Sequence, residues 1–336
     1  MTSISLWKRQ LTYWKENYDS FQYRKHIITH LQKDMRIDSY CFSIVDPQTL
    51  CSLGAVTDEV INQLHGKIIA LEQHPNTIDA YHDLWQHNNY FQRLSDTKIE
   101  DNYRYQRLLR LSGYTDEIRM CLPCGAENYG YLTLFRTEGY FTNYEAQYLV
   151  ALQKDIAQHL KDYYYVVPTT QSGVYGNGCL IMNQVLKVTS GNEEGLSFMY
   201  YLQQQEGTLH LPKLLQTLYM KCHKEQATIS LLTPIKDLGY FKVTATVVAT
   251  KNTEIIILIQ AATNEMITAH LMQAYQLTER ESDIAVLLIQ GKATKDIASQ
   301  LSLSPHTVQD YLKQVFKKAQ VHSRTELSWK LCGGIP

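Results

Sequence analysis

Apolar side chains near the start of the chain recur three to five positions apart: Leu6, Leu11, Trp14 and Tyr18, then Ile27, Ile28, Leu31 and Met35. That spacing predicts helix over residues 1–37. Alternation takes over in Tyr40-Cys41-Phe42-Ser43-Ile44-Val45 and stops at Asp46-Pro47, a strand with its terminator. Residues 57–112 are mixed and rich in His and Tyr, and the pattern sets no helix limits there. Ile118–Leu122 and Tyr131–Phe135 read as strands flanking a polar loop, Cys124–Gly130, which makes a hairpin. Thr142-Asn143-Tyr144-Glu145 is a capping box, since the Thr hydroxyl can accept from the amide three residues on while Glu145 reaches back. It opens a helix with Tyr148, Leu149, Leu152, Ile156 and Leu160 on one face, closing an α+β domain with its N-terminal helix over residues 1–165.

The segment Val166–Gly178 has the Pro, Gly, Ser and Thr content of a linker. Beyond it the pattern predicts strands at Cys179–Met182 and Val185–Val188, helices near 193–204 and 211–224, and strands near 228–234, 238–250 and 253–261. Lys251-Asn252-Thr253 is the expected turn between the last two. This is a second α+β domain, residues 174–262, followed by a helical linker, 263–276.

From Leu277 the pattern is purely helical. Thr278-Glu279-Arg280-Glu281 is a capping box, Ile284, Ala285, Leu287 and Leu288 form an apolar face, and Gly291 is placed to end the helix. Thr294 is the expected cap of a second helix, and Ser304-Pro305 supplies an N-cap and a first-turn proline for a third. At about 100° per residue the third helix separates cleanly. Gln309, His306, Asp310, Lys313 and Lys317 share one side, and Val308, Leu312, Val315 and Ala319 fall on the other. Ser323-Arg324-Thr325-Glu326 opens a last helix with Leu327 and Leu331 facing inward and Trp329 nearby. Three short helices at this spacing make a small all-α helix-turn-helix domain, residues 277–333. The polar side of its third helix carries groups able to read base edges or hold phosphates.

Leu277-Thr-Glu-Arg-Glu281, Gly291, Lys295-Asp-Ile-Ala-Ser-Gln-Leu301, Leu303-Ser-Pro-His-Thr-Val308 and Val321-His-Ser-Arg-Thr-Glu-Leu327 resemble the LuxR-type DNA-binding domain of bacterial transcription regulators. By that resemblance Gln309, Asp310 and Lys313 are expected to read bases. Lys295, Ser304, His306, Thr307 and Lys317 are expected to hold phosphates, and Ser323, Leu327 and Leu331 to form the dimer contact. Tyr311 and Ala319-Gln320 depart from the family pattern. A Gly in place of Gln320 would tolerate positive φ better.

Composition changes the picture less than it first suggests. The 336 residues hold 32 Lys and Arg against 33 Asp and Glu, a formal net charge of −1, which argues against a protein that coats nucleic acid. Residues 277–330, however, hold eight basic and six acidic side chains, so a basic head is averaged with an acidic remainder of −3. From Ser304 to Arg324, Lys313, Lys317, Lys318 and Arg324 face only Asp310. Hydrophobic content of 44% with 19% charged residues excludes a disordered chain, and seven cysteines do not suit a secreted disulfide framework. No run approaches a membrane span, so a cytoplasmic protein without a membrane partner is expected.

The front domains carry weaker signals. Residues about 20–165 resemble a GAF domain through Met120-Cys-Leu-Pro-Cys124, the Gly125–Gly130 turn, the following strand and Gly139-Tyr-Phe-Thr142, and residues about 174–262 resemble a PAS domain by element order. The resemblances imply sensory domains with a small molecule between sheet and helices. The candidate pocket residues are Tyr81, Trp85, Tyr90, Phe91, Tyr103 and Tyr105, part of an excess of 24 tyrosines, although core packing is the simpler explanation of them. Cys121-Leu-Pro-Cys124 lacks a second ligand pair, His65, His74, His82 and His87 are scattered, and Gly173-Val-Tyr-Gly176-Asn-Gly178 precedes a strand instead of a helix. None calls for a metal or cofactor, and no catalytic frame is visible, so an enzyme is not expected. The whole then implies a dimeric, sequence-specific regulator of transcription that binds double-stranded DNA under control of a small-molecule effector or regulatory protein. The alternative is a redox or cofactor-bearing sensor whose C-terminal helices mediate protein interaction.

Overall fold

A computed structural model describes residues 2–77, 80–166, 176–248 and 254–332. The middle of the expected linker and the Lys251-Asn252-Thr253 turn lie outside them, as does Gly173. Ser3 caps α1 (Ile4–Asn17) and Asp19 caps α2 (Ser20–Asp34), so the helical stretch at the start is two helices. Strands β1 (Ser39–Val45) and β2 (Ser52–Thr57) precede α3 (Glu59–Glu72), α4 (Tyr81–Gln86), β3 (Phe91–Arg93), β4 (Asp116–Cys124), β5 (Glu127–Arg136) and α5 (Asn143–Tyr164). The second fold runs β6 (Gly178–Met182), β7 (Val188–Gly191), α6 (Glu193–Glu206), α7 (Lys213–Glu225), β8 (Ile229–Ile235), β9 (Gly239–Val248), β10 (Glu254–Ala261) and α8 (Asn264–Ala274). The C-terminal helices are α9 (Glu279–Ile289), α10 (Thr294–Gln300), α11 (Pro305–Ala319) and α12 (Arg324–Leu331).

The two sheets are ordered β2-β1-β5-β4-β3 and β7-β6-β10-β9-β8. Numbered within each fold, both read 2-1-5-4-3, each with helices between the second and third strands and one helix after the fifth, and the first fold adds α1 and α2 ahead of its first strand. In the first sheet, Phe42 on β1 lies opposite both Val56 and Leu132, and Met120 on β4 pairs with Leu132. Leu149, Leu152, Ile156 and Leu160 of α5 are buried. At Gly130 on β5 a Cβ would come within 2.4 Å of the Leu160 side chain, so glycine there admits the helix.

Several boundaries differ from expectation. The hairpin loop is Gly125-Ala126 alone, because Cys124 pairs with Glu127 and the strands run to the turn. The Val185–Val188 strand is displaced to Val188–Gly191 by a turn in which Leu186 N–H donates to Asn183 O. Strands β2 and β3 were not expected.

The chain divides into two compact units, one of residues up to 164, 176–233 and 243–259, the other of Tyr165 and Val166, 234–242 and 260 onward. In the second unit α8 is not a free linker. It buries Ile267, His270, Leu271 and Met272, and Thr268 donates to the Leu331 carbonyl at 3.1 Å. Among the described residues no helix is long and apolar enough to cross a membrane.

Candidate DNA interface and ligand cavity

In the second unit the capping box at Thr278 and Glu281 forms, and Gly291, at φ 79°, follows α9. Ala293, not Thr294, is the N-cap of α10. The Asp296 carboxylate accepts from the Ala293 amide at 3.3 Å, and Thr294 Oγ1 accepts from Arg324 at 2.6 Å. Ser304 caps α11 through the Thr307 amide at 3.0 Å, with Pro305 in the first turn. Val308, Leu312, Val315 and Ala319 are buried, while His306, Gln309, Asp310, Lys313 and Lys317 are exposed. Lys295 and Ser304 are exposed too, and Thr307 is half-buried.

Electrostatics thin this face. Lys318 donates to Glu281 at 2.6 Å and to the Gln276 carbonyl at 3.0 Å, and Arg324 donates to Lys292 O and Thr294. Of the four cations between 304 and 324, only Lys313 and Lys317 remain on the polar side. Asp310 lies 3.1 Å from Lys313 and 3.4 Å from His306, and the hydrogen bond from Lys313 holds its carboxyl below the usual range. A shallow groove joins Lys313 and Lys317 to Gln320 and His322, the last a candidate phosphate contact that the face arithmetic missed.

The residues expected at the dimer contact lie mostly inside the domain. Leu327 and Leu331 are fully buried in the domain's own core, and Ser323 is spent capping α12 through Glu326 N–H. Trp329, 60% exposed, is the apolar group this helix presents.

Gln320 adopts φ 53°, ψ 50°, the left-handed conformation anticipated for this turn. The Gln320→Gly variant is expected to stabilise the C-terminal helices by up to about 1 kcal/mol, since relief of the strained backbone outweighs glycine's extra freedom in the unfolded chain. Thermal unfolding of full-length protein checks this, and a lower melting temperature would contradict it.

The first unit forms a partly open cavity of about 290 Å³ between the first sheet, α3, α4 and α7. Only Tyr81 of the six expected aromatic residues lines it. Trp85 packs on Tyr90, Tyr103 stacks on His74, Phe91 pairs with Met120, and Tyr105 packs against the buried cluster around Ile61 and Phe135. Local packing takes up these side chains away from this cavity, and Tyr103 also lines a separate shallow depression with Glu100 and Arg107. The sheet wall is instead Tyr131, Thr133 and Phe135, at every second position of β5. Tyr81 stacks on Tyr131 with ring centroids 4.0 Å apart, and Arg119 lies over the Tyr81 ring.

Each acid of the lining has a cation. Glu72 pairs with Arg119 at 2.5 Å, Glu117 with Arg104, and Glu225 with Lys221 at 2.8 Å. Buried His65, on α3, makes a 2.9 Å hydrogen bond from Nδ1 to Gln216 Oε1 of α7. Burial, with Lys213 adding to it, pulls its pKa down to about 4. Close by, Lys213 bonds Asn62 and lies 3.6 Å from Glu206, whose carboxyl burial pushes up to about 7 against the pull of Lys213 and Arg24. Of the remaining histidines, His82 lines the cavity from an exposed position, and His87 is exposed beside the Asp83 carbonyl. Cys121 is buried and Cys124 half-buried, and among the described residues no cluster of three or more His, Cys, Asp or Glu could hold a metal.

Residues 275–330 match the family of bacterial regulatory proteins of the luxR type. The chain is similar to the uncharacterized response regulatory protein YgeK of Escherichia coli, 43% identical over 63 residues, covering 19% of this chain and 43% of that one. It is also similar to the transcriptional regulatory protein DesR of Bacillus subtilis, 39% identical over 54 residues, 16% of this chain and 27% of that one. It thus spans less than half the length of these curated relatives. Among solved structures, Escherichia coli SdiA aligns over 99% of this chain and 98% of that one at 11% identity with a TM-score of 0.37. The VqsR ligand-binding domain of Pseudomonas aeruginosa aligns over 46% and 92% at 12% identity with a TM-score of 0.33. At such scores neither likeness transfers a fold. The family match and the helix order together identify the C-terminal domain as a LuxR-type helix-turn-helix.

Proposed function

We propose that this protein is a sequence-specific DNA-binding regulator of transcription, acting as a dimer and controlled by a small molecule or partner sensed in its two α+β folds. The observation that carries the reading is α11, with four buried apolar positions backing an exposed face of Gln309, Asp310, Lys313 and Lys317 in a LuxR-type domain. In this reading Gln309, Asp310 and Lys313 meet base edges in the major groove, while Lys295, Ser304, His306, Thr307 and Lys317 meet phosphates. On binding, Asp310 must then give up Lys313 and accept instead from a donor on a base edge. The common strand order of the sheets supports a GAF-like fold followed by a PAS-like one. Dimer contact through α12 falls to its exposed side at Trp329.

With two cations on the polar side of the reading helix, one of them, Lys313, paired with Asp310, a single head holds DNA weakly and useful affinity needs two heads on one site. Gel-shift titration of full-length protein on promoter fragments, beginning with its own, is expected to give a sequence-selective complex that weakens steeply with salt. Gln309→Ala or Lys313→Ala costs about 1–3 kcal/mol and relaxes selectivity, whereas Lys317→Ala lowers the salt slope by about 1. Absence of any selective, salt-dependent complex would overturn the reading.

A further inference from the structure

The cavity of the first fold is completed by a helix of the second, and the link between them has a defined hydrogen-bond polarity. Gln216 Nε2 donates to the Leu211 carbonyl at 2.6 Å. Its amide oxygen must therefore be the atom facing His65, and a carbonyl oxygen only accepts. The proton of the neutral His65 ring then sits on Nδ1, and Nε2 is left as a bare acceptor on a cavity-lining side chain. The other polar groups there are committed differently. Tyr81 gives its one hydroxyl proton to the Leu132 carbonyl at 2.9 Å, so Thr133 donates to Tyr81 at 2.7 Å, and both hydroxyl donors are spent. The acids are matched by Arg119, Arg104 and Lys221, and the fourth lining cation, Lys224, is exposed to solvent, so the buried part of the lining asks for no ionic charge in a guest.

We propose that this cavity binds a small, uncharged, flat ring compound whose N–H or O–H donates to His65 Nε2, with Gln216 of α7 fixing the tautomer that makes the selection. The size fits: a cavity of about 150 Å³ accepts benzene, and this one, at about 290 Å³, accommodates a bicyclic ring against the Tyr81–Tyr131 stack. His65 and Gln216 are each 4% exposed, so their bond is not exchanged for bulk water. A guest that donates to Nε2 extends one hydrogen-bond chain through His65 and Gln216 to Leu211 at the start of α7, so its occupancy is felt in both folds. The inference rests on the sensory reading of these folds.

Two shape-matched probes test it on full-length protein by calorimetry: indole, which has an N–H donor, and benzofuran, which has none. Indole is expected to bind at least tenfold tighter. The preference should vanish in His65→Phe and shrink in Gln216→Leu, which frees the ring to change tautomer. Nitrogen-15 spectra of histidine-labelled wild type provide a reading independent of whether the variants fold. His65 should appear as the Nδ1–H form, with Nε2 shifting on indole and not on benzofuran. Equal affinities, no binding of either probe, or an Nε2–H ring would overturn the site. A selective DNA shift that persists in that case leaves the regulator reading standing, whereas loss of the shift with indole binding intact overturns the regulator and not the site.

Discussion

Arg104→Met is expected to destabilise the first unit by about 3–5 kcal/mol, the cost of leaving a buried charge uncompensated. Arg104 and Glu117 are each 1% exposed, and the guanidinium grips both carboxylate oxygens, with Nη1 2.6 Å from Oε1. Removing the cation takes from Glu117, on β4 in the cavity wall, the guanidinium that neutralises its carboxylate. The pair itself is worth much less than the loss of one member, because bringing both charges out of water offsets most of their attraction. The double variant Arg104→Met/Glu117→Leu is accordingly expected to recover most of the stability, a coupling that a double-mutant cycle isolates. Denaturant unfolding followed by tryptophan fluorescence reports it well, since three of the four tryptophans, Trp7, Trp14 and Trp85, lie in the first unit. Promoter binding by the C-terminal helices provides the control in conditions where the variant stays folded. A loss below about 1 kcal/mol, or a double variant no better than the single, would show that water relieves Glu117.

The two sites were unequally legible in the sequence for a physical reason. On α11 the apolar period of a helix and the core face coincide, so Val308, Leu312, Val315 and Ala319 mark the inside and the polar residues mark the outside without any tertiary knowledge. The cavity gives no such signal. Tyr131, Thr133 and Phe135 alternate on β5 as core residues do, and period two cannot distinguish a wall packed against a helix from a wall facing empty space. Its polar members come together only in the fold, His65 and Gln216 being 151 positions apart. Charge counting failed in a related way, because Lys318 and Arg324 are cations by composition but internal ties by geometry. The short strand β2 hid because Ser52, Gly54 and Ala55 have little strand preference, and its place beside β1 is set by pairing with a longer neighbour.

His65 and Glu206 are expected to give the first unit opposite pH responses. The folded protein holds His65 neutral down to about 4, whereas an unfolded histidine takes its proton near 6.5. Its contribution to stability is therefore complete above about 6.5 and is lost as the pH falls toward 4. Glu206 works the other way, since burial raises its carboxyl from 4.5 to about 7. Its contribution is complete below about 4.5 and is lost as the pH rises through 7. Each gap corresponds to roughly 3 kcal/mol. Between 4.5 and 6.5 the two slopes oppose each other, so the wild type shows little of either. Removing one group uncovers the other: relative to wild type, His65→Phe should gain roughly 3 kcal/mol on acidification from 6.5 to 4, and Glu206→Gln should lose a similar amount from 7 to 4.5. Denaturant midpoints across this range read the slopes directly, and the constant offset from lost hydrogen bonds drops out. Slopes of the same sign in both variants would mean that one of the two groups keeps its ordinary protonation in the folded protein, and that the junction between the folds is wetter than its burial indicates.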